Sequence, residues 1–439
     1  MLKLKTLYIL ILTFPLTSSS TLLGQEHLIP VAKGWAKNSV NAVIFRRNSV
    51  VTHGTSQYVA FYDSASSVVL AKRKLGTTKW EIKRTRYKGR TRDAHNAISI
   101  MVDGDGFLHM AWDHHGDSLN YCRSTTAGSL ELTEKLSMTG YKEDNVTYPE
   151  FYRMANGDLI FLYRDGSSGR GNLMMNYYDR TTKTWTLRQD AFIHGEGERN
   201  AYWQMCTDVL GTIHISWVWR ETGDVATNHD ICYAKSTDGG KSWQKSDGTK
   251  YILPITAKNA EYVANIPQNS ELINTTSMCA DAKGRPYIAS YWRPAGTSIP
   301  QYHILYLDGN QWHIRQVGKR TTPFTLSGRG TRRIPISRCQ VLVQNDGTAT
   351  HAYVIFRDSE RKNRISLART SDLHNNKWDI LDLTTFSLGM WEPSYDTELW
   401  NQSKRLHLFV QFVGQGNGEK LEHVPPQEIS ILEWEPMKK

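Results

Sequence analysis

A short pattern recurs seven times along the 439-residue chain, and it restricts the fold more than any other feature of the sequence. Each copy has turn residues such as Asp, Asn or Gly, followed by a short apolar strand rich in aromatic residues. The copies occupy residues 52–63, 103–113, 155–165, 208–220, 281–293, 345–358 and 401–412. A repeat of this kind indicates one structural unit per copy, with neighbouring units stacked to bury a shared core.

A tryptophan follows a turn behind six of the copies. These residues are Trp80, Trp185, Trp243, Trp312, Trp378 and Trp434. The second copy lacks the tryptophan and carries "LELT" instead. The segment "STDGGKSW" (236–243) fits the Asp-box pattern, a hairpin turn in which the Asp caps backbone amides and the Trp packs beneath the turn.

Short strands at regular intervals, with almost no helical periodicity, predict an all-β, seven-bladed β-propeller with four antiparallel strands per blade. No linker rich in Pro, Gly or Ser divides the chain, so residues 25–439 are predicted to form a single domain. A pair of β-sandwiches is the alternative, which the regular Trp spacing disfavours. In a propeller, loops on one face form the binding cleft, so polar residues at the ends of inner strands are the functional candidates.

Residues 1–24 have the order of a signal peptide: two lysines, an apolar run, and then small residues. The apolar run is too short to span a bilayer. We therefore expect a protein that is secreted or periplasmic, monomeric and without a membrane anchor. Five widely spaced cysteines form no disulfide framework, and both a single disulfide and buried free thiols remain open.

The net charge of +10 and the pI of about 9.2 favour an acidic partner. For an exported protein, an anionic polysaccharide fits this description better than a nucleic acid, for which the sequence carries no motif.

Four histidines fall within the stretch "DAHNAISIMVDGDGFLHMAWDHHGDSLNYCRS". His109 occupies the same repeat position as His214 and His407, which indicates a structural role. His95 and His115 lie just before and just after the repeat strand, where loops begin. These two histidines are therefore the functional candidates.

The next unit has the same arrangement, with Tyr148 before its inner strand and Arg164 at the end of that strand. His and Tyr can accept and donate protons. Arg, assisted by a second His, can bind a carboxylate through paired hydrogen bonds. This combination suits β-elimination from a uronic acid, in which carbanion character at C5 is stabilised through the paired carboxylate.

Two other functions remain open. A sialidase-like glycoside hydrolase needs two carboxylates about 5–10 Å apart. The available residues are Asp93, Asp113, Asp165, Glu196 and Glu198. The segment "RRIPIS" (332–337) is similar to the Arg-Ile-Pro motif of sialidases, although it lies late in the chain. The second alternative is a non-catalytic propeller that binds acidic glycans.

A metal site is also open, because Cys206, His214, His229 and Cys232 fall within one repeat unit. Their spacing matches no zinc ribbon or HExxH motif. His214 and His229 are the candidate ligands, and the ion would be a structural zinc or calcium. Further candidates for sugar or sulfate contacts lie at strand ends: Arg199, Asn200, Tyr202, Arg220 and Arg293.

At these residues the sequence resembles the BNR-repeat polysaccharide lyases, and within them the ulvan lyases of polysaccharide lyase families 24 and 25. The active site of that family has two histidines about twenty residues apart, and a tyrosine sixteen residues before an arginine. Here His95 and His115 are separated by 20 residues, and Tyr148 and Arg164 by 16. The resemblance covers most of the chain after residue 24.

The resemblance implies a seven-bladed propeller that cleaves ulvan internally and leaves unsaturated uronate ends. Ulvan is a sulfated polymer of rhamnose 3-sulfate with glucuronic or iduronic acid. His95 and Tyr148 would be the base and acid of the elimination, while Arg164 and His115 would neutralise the uronate. The family also implies that no cofactor is required for the chemistry and that any bound metal is structural.

Overall fold

The computed structural model describes residues 27–45 and 48–436. These residues form seven antiparallel sheets, each built mainly from consecutive strands, and the fold is a seven-bladed β-propeller as predicted. The proposed signal peptide (1–24) lies outside the described residues.

The strands of the first three blades are as follows. The first strand of the chain, β1 (His27–Gly34), belongs to the seventh blade. Blade 1 contains β2 (Val50–His53), β3 (Ser56–Tyr62), β4 (Ser67–Lys74) and β5 (Glu81–Lys88). Blade 2 contains β6 (Ile98–Val102) and β7 (Leu108–Trp112), then, after the short strand β8 (His115–Asp117), β9 (Tyr121–Arg123). Blade 3 contains β10 (Val146–Arg153), β11 (Leu159–Ser167), β12 (Arg170–Asp179) and β13 (Thr184–Ile193), and β8 pairs with β10.

The remaining blades follow in chain order. Blade 4 contains β14 (Asn200–Thr207), β15 (Ile213–Arg220), β16 (Asn228–Ser236) and β17 (Glu261–Ala264). Blade 5 contains β18 (Ser277–Ala280), β19 (Pro286–Trp292), β20 (Gln301–Asp308) and β21 (Gln311–Val317). Blade 6 contains β22 (Gln340–Asn345), β23 (Thr350–Asp358), β24 (Arg364–Thr370) and β25 (Asp379–Asp382). Blade 7 contains β26 (Leu406–Gln411), β27 (Gln427–Trp434) and β1.

Helical structure is minor. The α-helix α1 (Thr397–Ser403) precedes β26. Short 3-10 turns cover Ser39–Asn41, Val225–Thr227, Ser359–Arg361, Leu373–Asn375 and Asn417–Glu419. Within the described ranges, no helix is long and apolar enough to cross a membrane.

The core lies between the blades, and this explains the strand sequences. Both faces of an inner blade strand pack against neighbouring blades, so all eight residues of β15 (IHISWVWR) are buried. Outer strands have one solvated face, and β5 therefore alternates between exposed and less exposed positions. Blade 2, which lacks its tryptophan, replaces its fourth strand with a single bridge between Ser124 and Leu132.

The ring closes by antiparallel pairing of β1 with β27, from His27 opposite Glu433 to Gly34 opposite Gln427. Strands from the two ends of the chain therefore share one blade. The pairing satisfies the backbone groups along one side of β27 that would otherwise lie on an open sheet edge.

The repeat turns are built as the sequence predicts. His109 is fully buried, and its two ring nitrogens bond the Asp103 carboxylate (3.2 Å) and the Tyr121 hydroxyl (2.8 Å). In the predicted Asp box, the carboxylate of Asp238 accepts hydrogen bonds from the backbone amides of Lys241 and Ser242. Trp243 lies fully buried beneath that turn and stacks on Phe192. All five cysteines are free thiols.

Candidate functional site

A cavity of about 640 Å³ opens at the face where the inner strands of blades 3 and 4 begin. It brings together three of the four residues predicted to be catalytic, namely His95, His115 and Tyr148. Two predicted binding residues, Tyr202 and Arg220, also line it. The rest of the lining includes Phe45, Ser168, Arg170, Glu221, Asn274, Arg329, Arg332 and Arg338.

One carboxylate holds both histidines. Asp93 accepts a hydrogen bond from His95 Nδ1 at 2.7 Å through one oxygen, and from His115 Nδ1 at 2.6 Å through the other. The two imidazole rings stack with their centroids 4.1 Å apart. Because each Nδ1 donates to Asp93, each Nε2 is left to accept a proton. Burial alone would raise the pKa of Asp93, but the hydrogen bonds from His115 and His95 hold it well below its ordinary range.

Replacing Asp93 with asparagine should disturb both rings at once. A carboxamide has one oxygen and an NH₂ group, so it cannot accept a hydrogen bond from both Nδ1 atoms. We expect kcat/KM for the predicted β-elimination to fall by at least about 10-fold. The upper limit is the loss of about 10⁴-fold known for the orienting Asp of a Ser-His-Asp triad. The measurement is the steady-state rate of the variant alongside Asp113→Asn, which alters a carboxylate bound to Arg90 outside the cavity. Equal rates for Asp93→Asn and the native protein would exclude this role.

Tyr148 is held in a strained conformation. Its φ is +56°, a left-handed value that is uncommon for a residue with a side chain and more so before a proline. The pairing of β10 with β11 shifts register between Thr147 and Glu150, which indicates a local bulge. Bulges of this kind redirect a side chain next to active sites. The Tyr148 ring is buried and stacks on Phe45, with centroids 4.5 Å apart.

Tyr202 lies between two buried guanidinium groups. Arg164 Nη1 is 3.5 Å from its hydroxyl oxygen and Arg220 Nη1 is 3.4 Å away, while Ser168 Oγ is at 3.1 Å. Burial alone would raise the pKa of the Tyr202 phenol, but Arg220, Arg164 and hydrogen bonds from Ser168 and Tyr148 lower it to about 7. Tyr148 shows the opposite shift: burial and its bond to Tyr202 raise its pKa well above the usual value. The pKa values of the two phenols therefore shift in opposite directions, and Tyr148 is the harder of the two to ionise.

This pair predicts a phenol that ionises near neutral pH. The folded pKa of Tyr202 lies below the ordinary value of 10.0, so between about pH 7 and 10 the folded chain holds one proton fewer than the unfolded chain. The contribution of Tyr202 to stability therefore rises with pH across this window. A pH titration of phenolate absorbance should show one early-titrating group, absent from Tyr202→Phe. An identical titration curve for that variant would contradict the assignment.

Arg164, the fourth residue predicted to be catalytic, lies behind the cavity wall. Only 2% of it is exposed, and its guanidinium carbon lies 5.0 Å from the centre of the Tyr148 ring. Arg220 is 6% exposed and donates to the carbonyls of Thr222 and Gly223. Within the described part of the chain, no carboxylate forms an ion pair with either guanidinium. Two buried positive charges without a partner carboxylate favour an anion at this wall, and the Tyr202 hydroxyl lies between them.

Three other predicted contacts do not line the cavity. Arg199 is held by Glu221, Glu196 and Glu198. Asn200 is fully buried, and its side-chain oxygen accepts a hydrogen bond from the Gly169 amide. Arg293 pairs with Glu271 and donates to the carbonyl of Asn269. Their side chains are committed to protein groups, which the position at a strand end did not reveal.

The predicted metal pair does not come together, so the pairing of His214 with His229 is corrected. His214 lies opposite Lys235 near one end of β15, whereas His229 lies opposite Trp219 near the other end. His214 bonds Asp208 and Tyr233, the same arrangement that holds His109. His229 bonds Glu221 and Asp230, which raise its pKa above the usual value despite burial.

Asp93, His95 and His115 form the one group in the described ranges whose possible ligand atoms lie close enough together for a metal ion, within 4.8 Å of one another. Hydrogen bonds between these same atoms already account for the cluster.

Several cavity residues were missed by the sequence reasoning. Phe45 comes from before the first blade, and Arg338, paired with Glu392, comes from blade 6. Asp93 stands two residues before His95, and its spacing alone did not distinguish it from other acids. Three cavity-lining arginines stand at positions that the repeat does not mark: Arg170 is the first residue of β12, and Arg329 and Arg332 come from a loop.

Comparisons with known proteins agree with the architecture. A family model described as "BNR repeat-containing family member" matches residues 56–320, which is more than half of the chain. A long-isoform ulvan lyase of Pseudoalteromonas sp. (strain PLSV) is 22% identical over 274 residues, covering 49% of this chain and 27% of that protein. An ulvan lyase of Nonlabens ulvanivorans is 22% identical over 317 residues, covering 62% of this chain and 66% of that protein.

A solved structure also matches over most of the chain. It is a PL25 ulvan lyase bound to -[GlcA(1-4)Rha3S]-, with a TM-score of 0.68 and 15% identity. The match covers 93% of this chain and 95% of the solved one. The two curated relatives are matched over less than two thirds of their own lengths.

Proposed function

The chain belongs to the BNR repeat-containing family. We propose that it is an exported polysaccharide lyase that cleaves ulvan by β-elimination at the uronic acid. The observation that carries the proposal is the meeting of His95, His115 and Tyr148 in a cavity whose wall holds two buried arginines without partner carboxylates. The identity of the proposed substrate is inferred from distant relatives that are named ulvan lyases. The product would carry an unsaturated uronate at its new non-reducing end.

The proposed reaction begins at C5 of the uronate. His95 is the base, because its Nδ1 proton is directed to Asp93 and its Nε2 is left to accept the C5 proton. As the C5–H bond breaks, its electron pair forms the C4–C5 double bond and the bond from C4 to the glycosidic oxygen breaks. Tyr148, which lines the cavity together with His95, donates its proton to the departing oxygen.

Charge on the substrate carboxylate rises as C5 loses its proton. Arg220 lines the cavity, and Arg164 lies directly behind the cavity wall, against the Tyr148 ring. His115 lines the cavity beside His95. Together they would neutralise the uronate, and the burial of both guanidinium groups strengthens such pairing. Acid and base are groups of the chain itself, and we propose a structural role for any bound metal ion.

The polymer is proposed to be sulfated. Arg170 and Arg329 are exposed and Arg332 is half-buried, and all three line the cavity. Their guanidinium groups can bind sulfate oxygens through paired hydrogen bonds. The net charge of +10 would attract such a chain to the cleft.

A glycoside hydrolase is the rival function, and the cavity offers it little. Among the described lining residues, Glu221 is the only acid, and it is already paired with Arg199 and His229. A second carboxylate facing the same sugar would be required. A non-catalytic glycan-binding propeller would not need the orientation of both histidines by Asp93 or the strained Tyr148.

The test is a screen of anionic polysaccharides, monitored by the ultraviolet absorbance of the unsaturated uronate. The proposal expects absorbance to rise with ulvan. New reducing ends without that absorbance would support a hydrolase, and salt-sensitive binding without any product would support a binding protein. No absorbance with any polyuronate would exclude a lyase.

A further inference from the structure

A second cavity, of about 680 Å³, lies between blades 6 and 7 on the face opposite the cleft. Strand β22 shows the relation of the two sites: Arg338, just before it, lines the cleft, and Gln344, near its other end, lines this groove. Six residues of extended chain separate those ends by about 20 Å. Tyr353, Trp378 and Trp434 supply the aromatic lining of the groove.

The two tryptophans belong to the series that follows the repeats, but their surroundings differ from those in blades 3, 4 and 5. Trp243 is fully buried against Phe192, and Trp185 packs within 5.1 Å of Tyr178. Trp312 donates its indole N–H to the Ser246 hydroxyl and the Glu261 carboxylate. The residues at this position in blades 6 and 7 instead border an open groove while remaining half-buried.

The groove tryptophans are also fixed in place. The Trp378 indole N–H donates to Asn376 Oδ1 at 2.9 Å. The Trp434 ring contacts Tyr353 edge-on, with centroids 5.7 Å apart. Rigid aromatic faces provide contact area with little loss of side-chain freedom on binding.

Charged groups in the groove nearly cancel one another. Arg369 and Lys377 stand against Asp346 and Asp379. Asp346 is bound to His351 at 3.0 Å, while Arg369 lies 3.5 Å from Asp379. The groove therefore offers aromatic faces with polar groups at their edges, and it lacks the surplus positive charge of the cleft.

We propose that this groove is a second glycan-binding site, which holds a strand of the polysaccharide on the face opposite the cleft. The C–H face of a pyranose ring stacks on an indole, and its equatorial hydroxyls reach the surrounding charged side chains. The identity of the polymer rests on the proposed function. Stacking, not ion pairing, holds the strand, so binding at the groove should be little affected by salt.

The test is retardation of the full chain in a gel containing ulvan, in a Tyr148→Phe background that prevents cleavage. At about 1 M salt the screening length is about 3 Å, so charge-driven binding at the cleft should be suppressed while groove binding persists. Trp378→Ala and Trp434→Ala should each weaken the remaining binding by at least about 10-fold. Phe386→Ala, an exposed aromatic residue outside the groove, is the matched control.

Ser371→Arg provides a second variant that leaves the core intact, because Ser371 is exposed at the groove. The added side chain should block the groove and remove high-salt retardation. The proposal would be overturned if retardation at high salt survived in Ser371→Arg and in both tryptophan variants, provided that these remain folded. It would also be overturned if the parent chain lost its retardation at high salt. Retardation at high salt by a native chain that gives no unsaturated product would instead leave the groove intact and exclude the lyase.

Discussion

Replacing Tyr148 with phenylalanine is expected to lower kcat/KM on ulvan by about 10²–10⁴-fold, the range associated with loss of one acid or base. The substitution removes only the hydroxyl that would protonate the leaving oxygen. The Phe45 stack and the cation over the ring do not need that hydroxyl. Losing the contact of this buried hydroxyl with Tyr202 should cost about 1 kcal/mol, so the thermal unfolding midpoint should fall only slightly. The measurement pairs steady-state kinetics with thermal unfolding.

Tyr141→Phe is the control for this experiment, because Tyr141 is an exposed tyrosine whose hydroxyl bonds Asp190 outside the cavity. It should retain the native rate. If Tyr148→Phe also retained the native rate while folded, the acid would have to be another group. Loss of rate accompanied by a large loss of stability would point to a packing role.

The second large effect separates two histidines from the same stretch. His95→Gln should reduce kcat/KM by at least about 10²-fold, because the proposed base is removed. The free energy of unfolding should change little. His109→Gln should do the reverse. It removes the buried bonds to Asp103 and Tyr121, at a cost of about 1–3 kcal/mol in the free energy of unfolding, while the cavity keeps its groups.

Kinetics and chemical denaturation of both variants test this contrast. The opposite pattern, with activity lost in folded His109→Gln and retained in His95→Gln, would exchange the roles of the two residues. Equal losses of stability would show that the two histidines cannot be distinguished by their burial.

The architecture was predictable because each repeat carries its own turn and strand, and a tryptophan follows six of the seven. Seven copies gave seven sheets, and His109 is buried as its repeat position predicted. The irregular blade could also be anticipated in part: the copy that lacks a tryptophan corresponds to the sheet whose fourth strand is reduced to one bridge. Strand bounds depend on tertiary pairing, and the pairing of β1 with β27 leaves no local signal.

The candidate site was predictable where spacing along two adjacent blades encodes it. His95, His115 and Tyr148 meet because strand ends of neighbouring blades open onto one face. Phe45 and Arg338 could not be found in this way, since they reach the cavity from distant segments. The surroundings of Arg199 and Arg293 were unpredictable for a related reason: a strand end gives the position of an arginine but not whether glutamates already neutralise it.

The pairing of His214 with His229 was wrong because the two residues lie at opposite ends of a pair of strands. His214 and His229 are close in sequence, but His214 lies near the start of β15. His229 lies on the returning strand β16, opposite Trp219 near the end of β15. The shared repeat position of His214 and His109 was the better guide. Both have an aspartate six residues earlier and a tyrosine on an adjacent strand.

The closure of blade 7 has a consequence for how the chain reaches its folded state. His27 and Glu433 touch across 406 residues of sequence, so the contact that locks the ring has nearly the largest sequence separation that the chain allows. Contacts of such high order form slowly, because a long loop must close before they contribute. The ring cannot close until the final strand has been synthesised, and a nascent chain with six complete blades would still present an unpaired edge.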